Sequence, residues 1–180
     1  MDEVAVETFN MTGQFEDVNV MGLEPYENLT NCTAAPYASY LLNKESMNEK
    51  DLNNAIDLIR LSEDQFTFWN TTPNEYGLRM MATPCVFEQY KYQKPVDHSA
   101  HNVAMAFLDL YEKTGDKLAF AKAKALVDNM TIVQNKGNGQ MPTTWDFRTP
   151  YHDSNRSFWT NCTFAAVTAF LRMDKITSEE

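Results

Sequence analysis

A chain of 180 residues is long enough for one domain with a single packed core. Its 43% hydrophobic and 12% aromatic content excludes a disordered tail, and the absence of any run of about 18 apolar residues excludes a helical membrane span. A net charge of −10 and a pI near 4.7 exclude the concentrated basic surface that nucleic acid requires.

Residues 1–27 show no sustained helical period. Turns at Met11-Thr12-Gly13-Gln14 and Met21-Gly22-Leu23-Glu24-Pro25 predict an extended arm, docked on a helical body over 28–180 through Phe9, Phe15, Val20 and Tyr26. No apolar segment follows Met1-Asp2-Glu3, so no signal peptide is visible. A periplasmic or secreted location is expected only if the chain belongs to a longer exported protein.

A first helix is predicted from after Asn28-Leu29-Thr30-Asn31 to about Asn43, with Ala34, Ala35, Ala38 and Leu41 forming a small-residue face. The second, near 49–69, has the clearest period: Ala55, Leu58, Ile59, Ser62, Phe66 and Trp69 recur at steps of three and four. A long connection over 70–97 carries Pro73, Gly77, Pro84 and Pro95. A third helix follows over about 98–113, with Val103, Ala104, Phe107, Leu108 and Tyr111 inward. Gly115 stands as the residue that ends it. A fourth helix is predicted over 116–134, a second long connection over 135–157, and a fifth helix over about 158–174.

The helices repeat. Thr30-Asn31-Cys32-Thr33-Ala34-Ala35 matches Thr160-Asn161-Cys162-Thr163-Phe164-Ala165, and both continue to an aromatic-Leu pair, Tyr40-Leu41 and Phe170-Leu171. Ala106-Phe107-Leu108 matches more loosely in the third helix. Odd-to-even links are short and even-to-odd links are long. In an antiparallel array both long connections therefore gather at the N-terminal ends of the odd helices, where free N–H donors point outward.

Within this frame, Leu110-Tyr111-Glu112-Lys113-Thr114-Gly115-Asp116 leads to Ala121-Lys122-Ala123. A Gly-rich loop then runs to Gln140-Met141-Pro142-Thr143-Thr144-Trp145. Over roughly residues 30–174 this resembles the six-hairpin (α/α)-toroid proteins of carbohydrate metabolism: glycoside hydrolases, unsaturated glucuronyl hydrolases and sugar epimerases. The resemblance implies an all-α fold of antiparallel helical hairpins and a carbohydrate ligand. A full toroid has twelve helices and about five are predicted here. The chain thus looks like a C-terminal part of a longer toroid, or a small relative completed as a homo-oligomer. A broad apolar face left bare on the first or fifth helix would favour either account. No catalytic signature of the family is complete.

The centre of the chain is Phe87 to His98, which sets two carboxylates, a histidine, two tyrosines and two lysines directly before a helix. Glycoside hydrolysis needs two carboxyls, about 5–5.5 Å apart for retention or about 6.5–9.5 Å for inversion, one of them kept protonated by burial. Glu88, between Phe87 and Tyr90, is the candidate acid; Asp97, Asp146 and Asp153 are candidate partners. The plainer readings are an ion-paired Glu88, an Asp97 that caps the third helix, and an Asp146–Arg148 pair. Trp69, Tyr90, Trp145, Tyr151 and Trp159 all fall in or beside the long connections and offer stacking platforms for sugars. Trp69 and Trp159 would otherwise anchor loops onto helices. Arg148, His152 and Arg156 suit an acidic sugar or sulfate, and His98 completes the substrate-binding set.

Other chemistry is poorly served. The three cysteines are in no CxxC pair, no HExxH occurs, and no G-x-G-x-x-G or P-loop is present, so no metal or cofactor is expected. His98 and His101, three apart, would share a metal or form one polar and one packed histidine. Seven N-x-S/T sequons, at Asn10, Asn28, Asn31, Asn70, Asn129, Asn155 and Asn161, mark either glycosylation or helix caps, with capping preferred. The rival to an enzyme is a non-catalytic glycan- or protein-binding helical-repeat domain, or a supporting part of a larger enzyme.

Overall fold

The computed structural model describes residues 34–70, 83–87, 95–145, 156–158 and 160–179; the arm expected over 1–27 lies outside them. The described chain is mostly helical. In order it forms α1 (Ala34–Leu42), α2 (Glu49–Phe66), β1 (Thr67–Phe68), β2 (Cys85–Val86), α3 (Asp97–Thr114), α4 (Lys117–Val133), β3 (Pro142–Trp145), β4 (Arg156–Phe158) and α5 (Thr160–Glu179).

Local rules explain the helix ends. Asn48 caps α2: its side chain accepts from the Asp51 N–H while Asp51 accepts from the Asn48 N–H, a reciprocal pair of bonds. Lys44 then binds the buried Asp51 at 2.9 Å, which joins the α1–α2 link to the helix it precedes. Gly115 ends α3 at φ +73°, where a Cβ would be strained, and its N–H reaches the Tyr111 carbonyl. Asp116 caps α4 through the Leu118 N–H at 2.8 Å.

Burial follows the apolar periods. On α2 the buried residues include Ala55, Leu58, Ile59, Ser62 and Phe66, and on α3 they include Val103, Ala104, Phe107 and Leu108, as their spacing predicts. Tyr111 is half-buried and packs on Phe120, with ring centroids 4.9 Å apart. The short links make α1–α2 and α3–α4 helical hairpins. Helix α3 is the hub: it packs against all four other helices, while α5 closes on α3 and α4. One continuous core, from Leu41 and Leu42 through Leu108 to Met173, joins all five.

Three boundaries differ from expectation. The second helix stops at Phe66, because Thr67 turns to extended backbone and enters β1; Trp69 therefore lies beyond the helix. The cap of α3 is Val96, with no side-chain capping bond, and Asp97 is the first helical residue; the capping role expected of Asp97 is not found. Helix α5 runs to Glu179, because Ile176 continues the buried stripe Cys162, Ala166, Ala169, Met173. Asn129 also departs from both readings of its sequon: it is buried within α4, neither a cap nor open to a glycan. Of the other sequon asparagines, Asn70 and Asn161 are exposed, and Asn10, Asn28, Asn31 and Asn155 lie outside the described residues.

The short strands were not expected, and they position the connections. Strand β1 pairs antiparallel with β2, Thr67 opposite Val86 and Phe68 opposite Cys85. Beyond β2, Phe87 pairs with Pro95, and the Val96 N–H donates to the Val86 carbonyl at 2.9 Å. Val96 in turn pairs with Thr144 of β3, and β3 pairs with β4 across an irregularity between Pro142 and Thr144. These pairings form one chain of backbone contacts from β1 to β4, laid over the N-terminal end of α3. A small second cluster, Cys85, Phe87 and Val133, seats it on the C-terminal end of α4.

Candidate functional site

The two long connections thus meet where α3 begins. Val96 and Thr144 are the meeting point, and Asp97 and Trp145 each lie one residue along the chain from that pair. Their backbone positions, in the first turn of α3 and at the end of β3, are described; their side chains are not. Glu88, Tyr90, Asp146, Arg148, Tyr151, His152, Asp153 and Trp159 lie outside the described residues. Arg156 is placed by its backbone in β4, opposite Trp145.

Below the meeting point, the first turns of α3 and α5 hold polar groups in close order. The Cys162 thiol donates to Thr143 Oγ1 at 3.5 Å, and the Met141 N–H donates to Thr163 Oγ1 at 3.1 Å, which fixes β3 to the start of α5. Both Cys85 and Cys162 are buried thiols and pack as small core residues.

The two histidines divide as the plainer reading had it. His98 is exposed, with Nδ1 3.4 Å from the Asn102 side-chain nitrogen. His101 is half-buried against α5, its ring centroid 6.2 Å from that of His98. Burial, the neighbouring His98 and the more distant Arg172 push the His101 pKa down to about 4, against a hydrogen bond to the Ala165 backbone that favours the cation. His101 is therefore neutral at pH 7, and its Nδ1 is buried with no hydrogen-bond partner among the described residues. Among those residues no three His, Cys, Asp or Glu side chains gather to hold a metal. A neutral imidazole at the mouth of the helix pair was visible in the sequence only as half of a His-x-x-His spacing; its environment comes from α5, 64 residues on.

Trp69 is the one candidate aromatic whose side chain is described, and it acts as an anchor. Its ring is half-buried, 6.1 Å from Phe107, with Lys122 Nζ 5.6 Å above it. Lys122 also stands 5.4 Å from Phe107 and is held by Glu63, so a cation from α4 is clamped between a carboxylate of α2 and two ring faces. That arrangement fixes the end of α2 to the α3–α4 hairpin and occupies the ring that a sugar would use.

A second concavity lies away from the connections. A groove of about 370 Å³ runs between α2 and α4 over α3, floored by Ile59, Phe107 and Leu110 and rimmed by Arg60, Glu63 and Lys122. Two rim cations have carboxylates: Lys122 has Glu63, and Arg60 has Asp57 at 3.7 Å. None of the sequence-derived candidates lines this groove. The motif reading could not find it, since three helices contribute and no two of its floor residues are adjacent in the chain. No described helix is long and apolar enough to cross a membrane. Compared with protein-family models, with curated proteins and with solved structures, the chain matches none of them.

Proposed function

We propose that this chain is a carbohydrate-active protein, built as part of an (α/α) toroid, that hydrolyses a glycosidic bond in a cleft formed by connections 70–97 and 135–157. The observation that supports the reading is the Val96–Thr144 pairing, which brings the two connections to one end of the helices. These connections carry Glu88, Asp97, Asp146 and Asp153, together with Tyr90, Trp145 and Tyr151. Functional groups on loops gathered over a rigid scaffold are the usual construction of a binding site.

In this mechanism Glu88 protonates the glycosidic oxygen as the bond to the anomeric carbon breaks. A partner carboxylate among Asp97, Asp146 and Asp153 either attacks that carbon or takes a proton from the attacking water. Tyr90, Trp145, Tyr151 and Trp159 stack on sugar faces, and Arg148 and His152 pair with an acidic group; His98 lines the edge. Incubation with neutral, acidic and sulfated glycans, followed by product analysis, is expected to give shortened products. Their formation should fall at least about a hundredfold with Glu88→Gln. Products undiminished by Glu88→Gln would remove that residue from the acid role.

A second reading, a non-catalytic glycan- or protein-binding domain, has its own support. The described carboxylates with little exposure are engaged by cations: Asp51 by Lys44, Glu63 by Lys122 and Asp109 by Arg172. Glycan binding without any product would favour this second reading over the enzyme.

A further inference from the structure

Between α4 and β3 the chain runs Gln134-Asn135-Lys136-Gly137-Asn138-Gly139-Gln140, and from Lys136 to Gln140 it is exposed. Asn138-Gly139 is the one Asn-Gly pair in the sequence. An asparagine followed by glycine is the pair best suited to attack on the side-chain amide by the backbone, because no Cβ shields the next nitrogen. Gly139 also takes a left-handed conformation, φ +76°, which favours glycine at that position.

The loop is closed by its own hydrogen bonds. The Asn135 N–H donates to the Gln140 carbonyl at 2.9 Å, and the Gly139 N–H to the Asn135 carbonyl at 2.8 Å. Asn135 Oδ1 accepts from the Gly137 and Asn138 N–H groups at 2.8 and 3.1 Å. The Asn138 amide is held at both of its atoms: Nδ2 donates to Gln140 Oε1 at 2.8 Å, and Oδ1 accepts from the Gln140 N–H at 3.0 Å. Gln134 Nε2 adds a bond to the Gly139 carbonyl at 2.7 Å. While the loop is closed, the Gly139 nitrogen and the Asn138 amide are both engaged elsewhere.

From these observations we propose that Asn138 is a deamidation site held in check by the closed loop. The reaction needs only water. When the loop opens, the Gly139 nitrogen attacks Asn138 Cγ: the N–Cγ bond forms, the Cγ–Nδ2 bond breaks, and the Gly139 amide proton leaves with Nδ2 as ammonia. Water then opens the succinimide at either carbonyl. One route gives aspartate; the other gives isoaspartate, with the chain running through Cγ. Either product replaces the Nδ2 donor with a carboxylate oxygen, so the bond to Gln140 Oε1 is lost and two acceptors are left facing each other. Gln140 precedes Met141, whose N–H binds Thr163 of α5, so the change falls where α4 hands the chain to β3. The extent of conversion records how often the loop opens.

Peptide mapping by mass spectrometry, during incubation at mildly alkaline pH, tests the proposal. Asn138 in the folded chain should deamidate at least about tenfold more slowly than in the guanidinium-unfolded chain, since opening must first break the bonds that hold both reacting groups. The Asn135→Ala/Gln140→Ala double variant, which removes the two side-chain acceptors, should deamidate several-fold faster than the folded parent with an unchanged helical circular dichroism spectrum. Should the double variant lose that spectrum, Gln140→Ala alone should show the same acceleration. Isoaspartate should accompany aspartate among the products, as the succinimide route requires. Equal rates in the folded and unfolded parent, a folded variant no faster than the parent, or aspartate formed without isoaspartate would each overturn the proposal.

Discussion

His101 shows how one side chain's surroundings set a measurable property. In the unfolded chain its imidazole has the ordinary pKa of 6.5, whereas in the fold burial and His98 hold it near 4. Between those values the unfolded chain binds a proton that the folded chain refuses, so stability falls as pH falls from about 6.5 towards 4. Discounted for its partial exposure, the expected loss from pH 7 to pH 5 is about 1.5 kcal/mol. Urea unfolding at the two pH values should show that loss in the parent and much less of it in His101→Gln. An equal loss in both would mean that other groups carry the pH dependence. The largest cause, burial, is not announced by the neighbouring sequence, whereas the smaller effect of His98 is visible there as the His-x-x-His spacing. By contrast Gly115 was legible at once: Thr-Gly-Asp after an apolar period demands a left-handed residue, and Gly115 adopts φ +73°.

At the scale of elements, one partly buried charge cluster ties α5 to α3. Arg172 of α5 donates to Asp109 at 2.6 Å and to Glu112, with Met105 Sδ 3.9 Å away. Burial alone would lower the Arg172 pKa, but the hydrogen bonds to the two carboxylates outweigh it and raise the value above the ordinary one. Asp109 is buried, so replacing Arg172 with Met leaves its carboxylate without this partner. The expected cost is about 3 kcal/mol in urea unfolding, with part recovered in the Arg172→Met/Asp109→Asn double variant. A loss below about 0.5 kcal/mol would place the cluster with weak surface pairs. Helix periods were readable because 17 or 18 residues in α2, α3 and α4 give several turns of pattern. Strands β1 and β2, two residues each, are too short to carry a period, and Val96 caps α3 without a side-chain signal.

For the whole molecule, alternating short and long links predicted that the connections over 70–97 and 135–157 would gather at one end. The pairing of Val96 with Thr144 joins them there. What the links could not reveal is the groove between α2 and α4, an open concavity on another part of the surface. The two places offer different chemistry. The loop end has imidazole groups at the start of α3 (His98, His101) and hydroxyl groups on β3 (Thr143, Thr144), whereas the groove has an apolar floor with cations already paired on its rim.

The proposed handling of a glycan at the loop end can be tested by nuclear magnetic resonance. Backbone amide and histidine ring signals would be followed while the glycan panel is titrated in. Shifts are expected to concentrate in residues 95–101 and 141–145, with Leu110 and Leu118 in the groove unmoved. Shifts centred on the groove, or no shift anywhere with any glycan at millimolar concentration, would contradict it.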